Sequence, residues 1–172
     1  MNNYAYLLLE SGPKVIDEAM KLLGIKEIVG PVHNKTIMGW AKTLGLSNYT
    51  ADEIAWCGLF AAIVVHNAGF EVVKEPLWAD NWRKFGTKQT IAMKGDILTF
   101  KRPGGNHVGF YVGEDEECYH VLGGNQGNKV GFVRMDKARL TGIRRCPWKF
   151  AQPATVRQVF LSKEGELSHN EA

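Results

Sequence analysis

The sequence predicts an α+β fold in which N-terminal helices pack on an antiparallel sheet. Three observations carry this. Up to Gly69 the apolar residues recur at helical spacing. After Gly95 the period changes to two, with turn residues between the runs. The 172 residues, 45% hydrophobic and 23% charged, suit one domain with a proper core and are too few for two. Helices first and strands second is the α+β order.

The elements follow from local signals. Ser11 can cap a helix with Pro13 in its first turn; Val15, Ile16, Ala19, Met20, Leu22 and Leu23 give the apolar stripe, and Gly24 stops it. Asn34 can cap a second helix carrying Ile37, Trp40, Ala41 and Leu44, with Gly45 at its end. A third segment starts near Ala51 and runs through Cys57 to Ala68 and Gly69. It is apolar nearly all round, which predicts a buried helix. Strands are expected over residues 97–100, 107–112, 119–122, 130–135 and 140–145. Polar or Gly-rich breaks separate them, at 103–105, 113–117 and 123–125. Residues 1–161 read as a single domain. Residues 162–172, with one Leu and three Glu, read as a flexible tail.

Composition narrows the class. The net charge of +3, from 21 basic and 18 acidic residues, is mild. With no basic stripe in a recognisable motif, no nucleic-acid partner is expected. Lys137, Arg139, Arg144, Arg145, Lys149 and Arg157 cluster late in the chain against Asp136. That is either a solvated face or an attraction to an anionic polymer. No window reaches the about 18 apolar residues of a membrane span, so no stable membrane insertion is expected. The short apolar run at residues 4–9 has no Lys or Arg before it and no cleavage site after it. No signal peptide is therefore expected, and synthesis is expected in the cytoplasm. Three cysteines, Cys57, Cys118 and Cys146, do not make a disulfide framework. Neither Cys-x-x-Cys, His-Glu-x-x-His nor a calcium loop occurs, so neither metal nor cofactor is expected.

Two residues carry chemistry. Cys57 stands at the start of the buried helix, where free backbone N–H groups and the macrodipole favour thiolate over thiol. The same position also suits a small buried residue in an apolar helix. His107 opens a strand after Gly104-Gly105-Asn106. Val108, Phe110 and Val112 take the apolar face, and His107 shares the other with Gly109, whose missing side chain leaves room for a substrate or a helix end. A surface His at a strand start is the plainer alternative. Cys118 follows four acidic residues, an environment that raises a thiol pKa.

The ordered pieces Ala55-Trp56-Cys57-Gly58, Lys94-Gly95-Asp96, His107-Val108-Gly109-Phe110-Tyr111-Val112-Gly113 and Gly123-Gly124-Asn125-Gln126 resemble the CHAP and NlpC-type branch of the papain-like cysteine amidohydrolases and peptidases. The stretch from Gly24 to Pro31, with Asn34, is similar to the same group, small phage or prophage enzymes above all. The likeness spans residues 13–147. It implies a papain-like fold and a cysteine hydrolase that cuts an amide bond in peptidoglycan, as an N-acetylmuramoyl-L-alanine amidase or a stem-peptide endopeptidase. It implies Cys57 as nucleophile, His107 as general base and acid, and Asn125 as the group holding the imidazole, with His120 as competitor for that third role. Trp56 and Gln126 flank the site and are expected to bind substrate; packing under the helix is the alternative for Trp56. A phage endolysin acting as a monomer on the cell wall after release fits this best. A delivered antibacterial effector, or a non-catalytic wall-binding or virion module, stands as the alternative.

Overall fold

The computed structural model describes residues 2–169. Four α-helices come first: α1 (Tyr6–Leu9), α2 (Lys14–Met20), α3 (Lys35–Thr43) and α4 (Cys57–Asn67). A 3-10 turn, Ala79–Lys84, leads into six strands: β1 (Thr87–Lys88), β2 (Ile97–Arg102), β3 (Gly105–Glu114), β4 (Cys118–Gly123), β5 (Gly131–Asp136) and β6 (Leu140–Arg145). They form one antiparallel sheet in the order β1-β6-β2-β3-β4-β5. The α+β expectation is thus met, with helices laid on an antiparallel sheet.

Alternation along the strands sorts side chains to two faces. Ile97, Val108, Phe110, Val112 and Leu122 join the main core with α2, α3 and α4, where Leu59, Phe60 and Ile63 are buried. Leu98, Phe100, Tyr111, Val121, Val133 and Met135 form a second, smaller cluster on the other face. Helix α4 is buried on every side from Cys57 to Val65, as its all-round apolar sequence requires. The core therefore fixes the helix start against β3.

Local corrections have physical causes. Helix α2 begins after Pro13, and Ser11 does not cap it; Asp17 reaches back instead, accepting from the Gly12 N–H at 2.7 Å and the Ser11 hydroxyl at 3.2 Å. Asn34 does cap α3, accepting from the N–H groups of Thr36 and Ile37. Helix α4 starts at Cys57 rather than near Ala51, because residues 51–56 are held in turns. Asp52 lies among them, wholly buried, and accepts from the N–H groups of Ile28 and Asn34 while pairing with His33 Nδ1 at 3.0 Å. These bonds go to the preceding loop, so Asp52 does not continue a helix. The expected tail is not free over residues 162–169. Ser168 N–H donates to Arg134 O, Arg134 N–H donates to Glu166 O, and Asn3 Nδ2 donates to the carbonyls of Ser162 and Glu164. The segment is laid along β5 and the N-terminal residues; 170–172 lie outside the described residues.

Candidate active site

Cys57 is the first residue of α4, and the N–H groups of a helix start lack intrahelical partners. Three N–H groups act on its thiol, those of Val108, Gly58 and Cys57 itself, along with the positive charge of Arg102. The Val108 contact sets the thiol one residue from His107 on β3. Burial is nevertheless the largest influence and pushes the Cys57 thiol up from its ordinary value, with those four groups pulling it down. The net direction is therefore upward, opposite to the one expected from the helix start alone. A proton acceptor has to take the proton during reaction.

His107 is buried at 1% exposure, opposite Phe100 on β2. Its Nε2 lies 3.0 Å from Gln126 Oε1. The Gln126 amide nitrogen donates to the carbonyls of Gly131 at 2.6 Å and Val121 at 3.2 Å. Only the NH2 end can donate to carbonyls, so the oxygen end is the one turned to the imidazole. In the neutral imidazole Nε2 then carries the proton and Nδ1 is the basic nitrogen. A neutral amide acceptor fixes the tautomer without a charge.

Asn125 does not take this role. Its backbone sits at φ +56°, and its Oδ1 is buried without a hydrogen-bond partner among the described residues. The Gly-Gly-Asn-Gln break is explained side chain by side chain. A Cβ on Gly123 would lie 2.5 Å from Gln126 Oε1, so the bare glycine admits the amide that meets His107. A Cβ on Gly124 would lie 2.5 Å from Phe60 Cβ and 2.9 Å from Trp56 Cε3, so this glycine admits the start of α4. Asn125 turns the chain in the left-handed region that Asn tolerates better than most residues. Gly109 serves packing as well: the space of its missing side chain is filled by Val121 and the Leu122 carbonyl, leaving none for substrate.

The two expected substrate-binding residues are both enclosed. Trp56 is wholly buried, donates from Nε1 to Glu27 Oε2 at 3.0 Å and packs against Trp40. Gln126 is 2% exposed and turned to His107. His120, the competitor for the third role, is committed elsewhere. It is wholly buried, with Nε2 2.9 Å from Asp115 Oδ2 and Nδ1 2.9 Å from the Tyr4 hydroxyl.

An open cleft of about 400 Å³ lies beside Cys57. Its walls are Asn48, Ile54 and Ala55 before α4, the segment from Leu77 to Asp80, and Arg102 with residues 104–106 of the β2–β3 hairpin. The sequence leaves Trp78 and Trp82 alike as core or groove rim; the structure separates them, with Trp78 70% exposed on the cleft and Trp82 buried. Gly58 brings Trp78 here: a Cβ on Gly58 would collide with the carbonyls of Pro76 and Leu77, so only glycine lets that segment close on the helix start. Arg102 carried no sequence signal beyond its charge. Its Nε donates to Asn106 O at 3.2 Å across the hairpin. Among the described residues no group of three or more His, Cys, Asp or Glu could hold a metal.

No family model matches this chain, and no curated protein matches it.

Proposed function

We propose that the chain is a papain-like cysteine hydrolase of the CHAP/NlpC type that cuts an amide bond in peptidoglycan, acting as a phage or prophage lysis enzyme. The observation that supports the reading is the pairing of His107 Nε2 with the Gln126 amide oxygen on the strand whose next residue, Val108, turns its N–H to the helix-start thiol of Cys57.

The chemistry follows from those atoms. His107 Nδ1 takes the Cys57 proton as the sulfur attacks the substrate carbonyl. The imidazolium then donates from both nitrogens, and Gln126 Oε1 goes on accepting from Nε2–H. The Cys57 backbone N–H at the helix start supports the developing oxyanion. The C–N bond breaks, the amine leaves with the proton from Nδ1, and the acyl group stays on sulfur as a thioester. Water, deprotonated by Nδ1, then releases the carboxylate and restores the thiol.

The test is mass analysis of purified muropeptides incubated with the protein. One new amine and one new carboxylate, summing to substrate plus water, are expected, and their identity names the bond. Recovery of unchanged muropeptides would overturn the reading.

A further inference from the structure

The cleft beside Cys57 does not end at Trp78. A second hollow, of about 200 Å³, continues on the far side of that indole, between Leu46 and Asn48 on one wall and residues 75–78 on the other. Asn48, Leu77 and Trp78 line both spaces, so the two share one threshold. Its walls are held from behind. The Trp78 N–H donates to Glu75 O at 3.2 Å, Asn81 Nδ2 donates to the same carbonyl at 3.1 Å, and the buried Trp82 indole donates to Pro76 O at 2.9 Å. Across the gap, the Tyr49 N–H donates to Leu46 O at 3.2 Å and its hydroxyl donates to Ile54 O at 3.2 Å. Walls fixed before a ligand arrives lose little freedom when it binds.

The chemistry of the hollow is distinct from that of the cleft. Glu75 brings the only charge among the residues that line it. Asn48 and Trp78 are exposed, and neither side chain has a hydrogen-bond partner among the described residues. A side-chain amide both donates and accepts, so it matches the N–H and C=O of a backbone that passes it. An exposed indole supplies apolar area at small entropy cost. A carboxylate brought beside Glu75 meets a like charge.

We propose that this hollow is a subsite for the substrate strand beyond the scissile bond. Asn48 takes a backbone amide of that strand, Trp78 covers its apolar side, and Glu75 excludes a carboxylate. The occupant is the strand that enters the Cys57 cleft, because the two spaces are continuous. The inference rests on the hydrolase reading above and adds that the protein selects for length and for an uncharged extension.

The test starts from the bond named by the muropeptide masses. Synthetic substrates are lengthened by one, two or three neutral amide-linked residues, on the acyl side in one series and on the amine side in the other. In the series that passes Trp78, kcat/KM is expected to rise about two- to tenfold with length. Asn48→Ala and Trp78→Ala are each expected to lower the longest substrate more than the shortest, and Trp78→Phe to restore part of the rise. An aspartyl residue at the outermost position is expected to cancel the rise, and Glu75→Gln to bring it back. Length-independent kcat/KM in both series would overturn the inference. So would a rise that survives both alanine variants, variants that lower every length by one factor, or an aspartyl substrate cut as well as the neutral one. Each of these leaves the hydrolase reading standing. If wild type cuts no muropeptide, the hydrolase reading falls and takes this inference with it.

Discussion

Asn125 and Gln126 carry the same amide group on adjacent positions, and their side chains do different work. Gln126 has one more methylene, lies over Gly123 and meets His107; Asn125 turns the chain with a positive φ. Gln126→Ala should therefore lower kcat by about ten- to a hundredfold, part of what a positioned base contributes. The acid limb of its pH–rate profile should move, because the imidazole loses its fixed tautomer. Asn125→Ala should leave that limb in place, and steady-state rates between pH 5 and 9 compare the two. The placement of Cys57 at a helix start and of His107 on a strand was legible in the sequence because both are local features, although β3 begins at Gly105 and not at His107. The choice between the two amides was not, since it depends on which side chain the turn directs inward. The pKa of the thiol was misread for the same reason: N–H groups at a helix start are visible in sequence, whereas the burial that outweighs them is a property of the packed fold.

At the scale of elements, the site is held by close approaches that only glycine permits. Gly58 lets the segment before Trp78 close on α4, Gly124 lets the strand end close on Trp56 and Phe60, and Gly123 makes room for the Gln126 amide. Gly123→Ala should keep the sheet, because β4 is paired on both sides, while displacing Gln126 from His107. Circular dichroism should match wild type and kcat should fall toward the Gln126→Ala value; full activity would mean that the amide contact is dispensable. The positions of the main strands were readable from period and turns, but the return of β6 to pair with β2 was not, because it joins segments far apart in the sequence. The β1 strand of two residues and the 3-10 turn carrying Trp82 were not, because neither is long enough to show a period. The cysteines also separate by element. Cys57 lines the open cleft and Cys146 is enclosed, its thiol pushed up to about 12 by burial and then by Asp96. Cys118 is pushed up by burial and by Asp115, Asp136 and Glu117, against the pull of Arg134. All three thiols are pushed up by burial, so access decides between Cys57 and Cys146: iodoacetamide at neutral pH, read by peptide mass spectrometry, should label Cys57 before Cys146.

Across the whole molecule, a buried network ties both ends of the chain to the sheet. Asp115 accepts from Arg134 at 2.8 Å and pairs with His120, which meets Tyr4; Arg134 in turn holds the segment around Glu166. Burial raises the Asp115 carboxyl, but Arg134, two backbone N–H groups and His120 outweigh it and hold it well below its ordinary range. His120 is lowered from its ordinary value, first by burial, with Asp115 opposing. The sign follows from linkage: a lowered histidine contributes stability above its unfolded pKa, near 6.5, and that stability is lost as the pH falls through the folded value. Chemical denaturation should show stability declining as pH drops below about 6.5. His120→Ala should flatten that decline and cost about 2 kcal/mol at pH 7.5, as expected for leaving buried partners unpaired. The folded fraction should keep its turnover, since His120 lies in this network and not beside Cys57. The hydrogen bonds of residues 162–168 belong to this scale too: polar composition resembles a free end, and the contacts with Asn3 and Arg134 come from distant parts of the chain.

The central claim, a Cys57-dependent cut in the cell wall, is tested most directly with purified peptidoglycan sacculi. Wild type and Cys57→Ala, matched by circular dichroism, are incubated in parallel and soluble fragments are quantified. Release by wild type with loss of at least about a hundredfold in the variant is predicted. Equal release by the two proteins, or none by either, would contradict it.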